Sequence, residues 1–321
     1  MKQLLVTGGA GFIGSNFIEY MLDHQSYQIT NIDAFTYAAN EEYIKKFNEV
    51  PHYRLIKGDI SKEDELERAL DRQYDAIINF AAESHVDRSI NRADQFYESN
   101  IKGTLNLLYA VLEKKANRLI QISTDEVYGS LDKFTAPFTE KSPLKPNNPY
   151  SASKAGADLL VRSFVQTYKL PLIITRCSNN YGPQQNKEKF IPKVITNAMK
   201  GEPIPLYGDG MNIRDWIHVS DHCRAVHFVL ERGVPGEVYN IGGHEERTNI
   251  DVIKAILKYL RKDEALIEYV DDRKGHDRRY SIDFTKINTE LGWEPKVQFE
   301  EGIIETIKWY QNQGQLGGND G

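Results

Sequence analysis

Leu4-Leu5-Val6-Thr7-Gly8-Gly9-Ala10-Gly11-Phe12-Ile13-Gly14 joins a strand pattern to a helix pattern through a glycine-rich turn. Leu4–Val6 is a short apolar run of strand type, and from Phe12 to Leu22 apolar residues recur at helical spacing. Between them runs Gly8-x-x-Gly11-x-x-Gly14. Gly8 permits the tight strand-to-helix turn, Gly11 lets the backbone approach a pyrophosphate, and Gly14 lets helix and sheet pack closely. A phosphate there meets free N–H groups and the positive end of the helix dipole. A glycine triplet alone is common; the strand before it and the helix after it make this one a dinucleotide signature.

Outward from that turn the alternation continues. Gln28–Ile32, Tyr53–Lys57, Ala76–Phe80, Arg118–Ser123 and Leu172–Arg176 read as strands, and Asn100–Leu112 and Tyr150–Tyr168 as amphipathic helices. This pattern predicts an α/β fold with a doubly wound parallel sheet of Rossmann type. After residue 177 the pattern loosens, with Tyr181-Gly182-Pro183 and Gly201-Glu202-Pro203 as breakers. Asp221–Glu231 is again helical, Glu237–Ile241 resembles a strand, and 249–261 is a further helix. Residues 1–177 with about 219–241 are therefore expected to form the dinucleotide domain. Residues 178–218 and 242–310 are expected to form a smaller mixed α/β substrate lobe, and 311–321 a polar, flexible tail.

The bulk composition excludes several classes. The chain has 321 residues, 27% of them charged, and a net charge of −6, which argues against a nucleic-acid surface. No run of about 18 apolar residues suggests a membrane span. Cys177 and Cys223 lie far apart without metal-ligand spacing, so neither a disulfide scaffold nor a metal site is expected. The first strand follows Met1 almost directly, with no leader pattern, and a cytoplasmic location is the expectation.

The second strand ends at Asp33, whose carboxylate can accept both hydroxyls of an adenosine ribose and would repel a 2′-phosphate. That favours NAD over NADP. Asp59 and Ile60, after the third strand, would face the adenine. Tyr150 and Lys154 stand four residues apart and share a helix face. A nearby ammonium favours a phenolate, so the tyrosine can serve as a base below its free pKa of about 10. Thr124 ends a strand at the carboxyl edge of the sheet, where ligands bind. Next to it, Asp125 and Glu126 pair two carboxylates beside the redox centre. Dehydration needs such a pair, one to protonate a leaving hydroxyl and one to take a proton from carbon. The same two residues could also cap a helix or sit in a solvated turn.

Gly8, Gly11, Gly14, Thr124, Tyr150 and Lys154 together resemble the extended short-chain dehydrogenase/reductase family, over nearly the whole chain. Ser123-Thr124-Asp125-Glu126-Val127-Tyr128-Gly129 is similar to the motif of its nucleotide-sugar 4,6-dehydratases. So are Asp33–Ala38, Ala81–Ser89, Ser178–Gln184, Arg214–Val219 and Gly275–Tyr280. Two positions depart from that pattern: Ala39 stands where Gly is usual, and Lys274 where Pro is usual. The resemblance implies NAD as cofactor and dTDP-glucose as substrate. It implies cofactor contacts at Gly8, Gly11, Phe12, Ile13, Gly14, Asp33, Thr36, Asp59 and Ile60, and at Ala81, Ala82, Ser99, Tyr150, Lys154 and Asn180. It implies substrate contacts at Ser84, Thr124, Asn179, Arg214, Asn249, Arg273 and His276. Two arginines suit a substrate pyrophosphate, since guanidinium pairs bidentately with phosphate oxygens. His85 and His218 are read as packing or hydrogen-bonding residues. A homodimer through helices 100–112 and 150–168 is also implied. A dehydratase for another base, a 4-epimerase and a non-catalytic NAD-binding regulator remain as alternatives; Asp125 and Glu126 argue against the epimerase.

Overall fold

The N-terminal apolar run becomes strand β1 (Lys2–Thr7), with Leu4, Leu5 and Val6 fully buried. The computed structural model describes residues 1–24 and 26–316. Five more expected strands follow: β2 (Tyr27–Asp33), β3 (Tyr53–Lys57), β4 (Ala76–Asn79), β5 (Leu119–Thr124) and β6 (Leu172–Cys177). Beyond these come β7 (Asn179–Tyr181), β8 (Ile204–Tyr207), β9 (Ile213–His218), β10 (Val238–Ile241), β11 (Glu246–Thr248) and β12 (Ile267–Val270).

Seven strands form one parallel sheet in the order β10-β6-β5-β4-β1-β2-β3. The strand order reverses at β1, which lies between β4 and β2. A crevice opens at the carboxyl ends of the strands at such a reversal. Both faces of the sheet are covered, which is why its strands read as continuous apolar runs rather than alternating ones. On one face, Phe17, Ile18 and Met21 of the Phe12–Leu22 helix pack with Val226, Val229 and Leu230 of the Val219–Arg232 helix. On the other, Leu107, Leu108 and Val111 pack with Val161 and Phe164 of the Pro149–Tyr168 helix.

Two small sheets accompany it. One is mixed, in the order β11-β9-β7, and the other pairs β12 with β8 in parallel. A third core fills this region, with Ile191, Val194 and Ile195 of the Phe190–Lys200 helix against Val252, Ile253 and Ile256 of the Asn249–Leu260 helix.

Three expectations need correction. Residues 284–293, expected in the small lobe, pack against the large sheet instead. Ile287, Leu291 and Trp293 join the core of Val226 and Val229, and Trp293 Nε1 donates to Asp221 O at 3.2 Å. Their apolar surface finds its partner there. The chain does not fray from residue 311, because the Phe299–Leu316 helix continues through it, anchored by buried Ile303, Ile307 and Tyr310. Residues 317–321 of that expected tail lie outside the described residues. Finally, the expected Asn100–Leu112 helix opens as a π-helical turn over Tyr97–Lys102 before the α-helix Gly103–Leu112. The wide turn carries Asn100, whose amide donates to Glu83 O at 3.0 Å and Ser153 Oγ at 2.8 Å. Among the described residues, no helix is long and apolar enough to cross a membrane.

Candidate active site

The Gly8–Gly14 turn is shaped by close contact. Gly8 has φ +70°, and a Cβ there would stand 2.5 Å from Ala81 N. A Cβ on Gly14 would stand 2.4 Å from Gly8 O. Only glycine fits either place, so the backbone of the turn lies open to a ligand at the N-terminus of the Phe12–Leu22 helix. Asp33 closes the turn from β2: its Oδ2 accepts from Ala10 N and its Oδ1 from Phe35 N, both at 2.8 Å. Asn31, which the sequence did not single out, accepts from Gly9 N at 3.0 Å.

One cleft runs along the carboxyl ends of the strands. Gly8, Gly11, Phe12, Ile13 and Gly14 form one end of its wall. Asp33, Thr36, Asp59 and Ile60 line it from the strands beyond. Ala81, Ala82, Ser99 and Asn180 line it further along, with Tyr150 and Lys154. Every expected cofactor residue therefore borders a single cleft. Asn180 is held by His222, whose Nδ1 is 2.8 Å from its Oδ1.

The groups expected to react gather where β5 ends. Thr124 turns the chain into a short 3₁₀ turn, Asp125–Tyr128, and its own hydroxyl caps that turn by accepting from Glu126 N at 3.3 Å. The two carboxylates are thus free of the capping role that the sequence left open for them. Asp125 is buried, and burial pushes its carboxyl well above the usual range, aided by the negative charges of Glu126 and Asp215. Glu126 is also raised by burial, but Arg273, Arg214, an Asn148 hydrogen bond and Lys189 pull it down. Asn148 Nδ2 stands 3.5 Å from Glu126 Oε2, while its Oδ1 caps the Pro149–Tyr168 helix by accepting from Ser151 N at 2.8 Å. Two adjacent carboxyls, both raised by burial, thus differ in the charges around them, acidic neighbours adding to the shift of Asp125 and cations opposing that of Glu126, a difference that can let one site hold an acid and a base.

Tyr150 and Lys154 face the same cleft from the first turns of that helix, both buried. Lys154 Nζ donates to Ile122 O at 2.6 Å. The phenol is not lowered as the spacing suggested. Burial pushes it well above its ordinary value, with the negative charge of Glu126 adding to this, and the Thr124 hydroxyl opposes them. A buried phenol beside carboxylates needs a further positive charge to act as a base.

Of the expected substrate residues, Ser84, Thr124 and Asn179 line the cleft. Arg214, Asn249, Arg273 and His276 do not. Arg214, Arg273 and His276 form a second group on the lobe side of Glu126. The Arg214 guanidinium lies 4.3 Å over the Tyr280 ring and donates to Asp277 O at 3.0 Å. Burial lowers its pKa, and Arg273 lowers it further. Two guanidinium groups crowded in a buried place suit an anion. Burial and Arg273 push His276 down to about 4, against its 2.6 Å contact with Asp272. Asn249 begins the Asn249–Leu260 helix, and its N–H donates to Asn212 O at 3.0 Å. Asp125 Oδ2, Asn179 Oδ1 and Arg273 Nε are buried without a hydrogen-bond partner, which leaves polar valences for a ligand. Of the two departures, Ala39 lines the cleft and Lys274 is exposed.

The sequence reading missed Lys189. It is part-buried, its Nζ donates to Ser84 O at 2.7 Å, and its charge acts on Glu126. A signal existed: Lys189 stands at the N-cap of the Phe190–Lys200 helix, where a cation opposes the dipole. Glu83 was missed too; it lines the cleft with its carboxyl raised by burial.

The family model described as GDP-mannose 4,6 dehydratase matches residues 5–306. The chain belongs to this dehydratase family. Among dehydratase relatives, the dTDP-glucose 4,6-dehydratase of Xanthomonas campestris is 49% identical, with 97% of this chain and 93% of that one covered. The low-salt glycan biosynthesis protein Agl12 of Haloferax volcanii is 50% identical, with 96% and 98% covered. The dTDP-glucose 4,6-dehydratase DesIV of Streptomyces venezuelae, solved with NAD and TYD bound, superposes at a TM-score of 0.94. It shares 47% identity, with 98% of each chain covered. A UDP-glucose 4-epimerase of Thermotoga maritima has nearly the same fold, at a TM-score of 0.90, but is only 28% identical. The dehydratase fold thus hosts other chemistry, and function has to be argued from the site.

Proposed function

We propose that this protein dehydrates dTDP-glucose to dTDP-4-dehydro-6-deoxy-glucose with a recycled NAD. The observation that carries this reading is the Asp125–Glu126 pair beside Tyr150, both raised by burial, Asp125 further by its acidic neighbours while Arg273, Arg214 and Lys189 favour the charge on Glu126. The Gly8–Gly14 turn, Asp33 and the cleft residues named above would hold the NAD. When bound, it would supply the acceptor for the C4 hydride and the donor of that hydride to C6, and in its oxidised form a positive charge.

Tyr150 takes the proton of the C4 hydroxyl, with Thr124 hydrogen-bonding the same region and Lys154 bearing on the ribose side. The C4 ketone then makes the C5 proton acidic. Glu126 removes that proton while Asp125 gives its own to the departing C6 hydroxyl, so water leaves; with the hydride returned to C6, C5 takes a proton back from Glu126, the proton released by Tyr150 restores Asp125 through solvent, and no net redox change results. Arg214 and Arg273 bind the substrate diphosphate, with Ser84, Asn179, Asn249 and His276 completing the sugar-nucleotide contacts. Residues 1–177 with about 219–241 would carry the cofactor, and 178–218 with 242–310, residues 284–293 apart, the substrate.

A panel of nucleotide-glucoses tests the reading. Turnover is expected with dTDP-glucose to a 4-keto-6-deoxy product seen by proton NMR. Interconversion of C4 epimers without loss of the C6 hydroxyl would overturn it.

The protein is further proposed to work as a homodimer in the cytoplasm. Tyr109, Leu159 and Tyr168 are exposed along the two helical segments expected to pair, and both cysteines are free and buried. A solution mass of two chains in a cytosolic fraction is the expected result; a single-chain mass at micromolar concentration would count against it.

A further inference from the structure

Two stretches that mark the cleft contain residues the proposed chemistry does not use. Asp33–Ala38 includes Tyr37, and Ala81–Ser89 includes Arg88. The Arg88 guanidinium lies 3.5 Å over the Tyr37 ring. Its Nη2 donates to both carboxylate oxygens of Glu188 at 3.0 Å. Glu188 is also reached by His85 Nε2 at 3.7 Å, and Asn186 Nδ2 stands 3.5 Å from Tyr37 O. The Glu83 carboxylate faces the Tyr37 phenol.

These contacts join three separate walls. Tyr37 sits between Thr36 and Ala38, which line the cleft beyond β2. Arg88 is on the short Val86–Asn91 helix, which follows Glu83 and Ser84 beyond β4. Glu188 belongs to the loop leading into the lobe helix Phe190–Lys200, beside cleft-lining Asn186 and Lys189. Tyr37, Arg88 and Glu188 themselves do not line the cleft. One guanidinium therefore ties two sheet-edge loops to the lobe from outside the ligand space.

We infer that Tyr37, Arg88 and Glu188 form a clasp that holds the dinucleotide in place by bridging its cleft. The inference rests on the NAD reading of that cleft. A reaction that returns its hydride to the same substrate gains from a cofactor that does not leave between the two transfers. The contacts are suited to reversible closure rather than to permanent sealing. Tyr37 is 39% exposed, and the Arg88 and Glu188 side chains are 45% and 47% exposed. Solvent-screened ion pairs and cation–π contacts of this kind are individually weak. Together they are expected to slow cofactor exchange about tenfold, and the ionic part of that effect is expected to fade as salt is added.

The test is the rate at which NAD bound to the full-length protein exchanges with excess fluorescent etheno-NAD. Arg88→Gln and Glu188→Gln are each expected to exchange about tenfold faster than the parent. Glu188→Gln alters an exposed side chain in a loop, so it reports on the clasp even where Arg88→Gln folds poorly. Added salt is expected to speed exchange in the parent and to have little effect in either variant. Exchange within twofold of the parent in both variants, from a parent that does retain NAD, overturns the clasp alone. A parent that retains no NAD overturns the cofactor reading on which it rests.

Discussion

Glu126→Gln is expected to stop dehydration while leaving oxidation at C4 intact. The C5 proton is acidic only beside a ketone, so Glu126 acts only after Tyr150 has done its part. The glutamine amide cannot accept that proton, and elimination is expected to fall by about 10²–10⁴-fold, the scale of a lost general base. The enzyme should then accumulate reduced cofactor, seen by its near-ultraviolet absorbance, and substrate recovered from deuterated water should carry no deuterium at C5. Asp125→Asn should differ in kind. It removes the proton donor for the C6 hydroxyl, so loss of water slows while exchange at C5 survives. A Glu126→Gln protein that eliminates water normally would show that these carboxylates are structural. The pH dependence follows the same division. Falling pH protonates Glu126, which burial has already raised, and shuts off proton removal from C5. Rising pH removes the proton that Asp125 holds well above the usual carboxyl range, and shuts off departure of the hydroxyl. Elimination is expected to trace a bell, and Asp125→Asn should flatten its alkaline limb.

Tyr150→Phe is expected to depress the first hydride step by about 10²–10⁴-fold. The ring stays in its slot, so substrate binding should change little; single-turnover absorbance and equilibrium titration measure the two separately. The phenol is buried, and Glu126 stands near enough to raise it further. The positive charge that lowers it therefore has to come from beyond the nearby carboxylates and the Thr124 hydroxyl. Tyr150→Phe that oxidises C4 at the parent rate would mean that another group takes the hydroxyl proton.

Several parts of this molecule are legible in the chain alone. The Gly8–Gly14 turn announces itself because its constraints are local: a strand, a tight turn and a helix within a dozen residues, with glycine wherever a side chain would collide. Tyr150 and Lys154 are legible for the same reason, since four residues on a helix set them on one face. The parallel strands are legible because both faces are covered, which writes them as unbroken apolar runs.

Other features arise from contacts between segments distant in the chain. Residues 284–293 look like any amphipathic piece of the lobe, and only the apolar surface of the Val219–Arg232 helix draws Trp293 to the large sheet. Lys189 looks like one charge in a polar loop, until folding sets it against Ser84, 105 residues away. The division of labour between Asp125 and Glu126 is likewise absent from their adjacent letters. Arg273 and Lys189 favour the charge on Glu126, Asp215 opposes the charge on Asp125, and Arg214 from the lobe bears on both. Residue types and local spacing determined which groups could react. The electrostatic surroundings that assign each carboxyl its role depend on charges brought together across the whole chain, because a proton's affinity for a buried group is set by what lies within a few ångströms in space, whatever the separation in sequence.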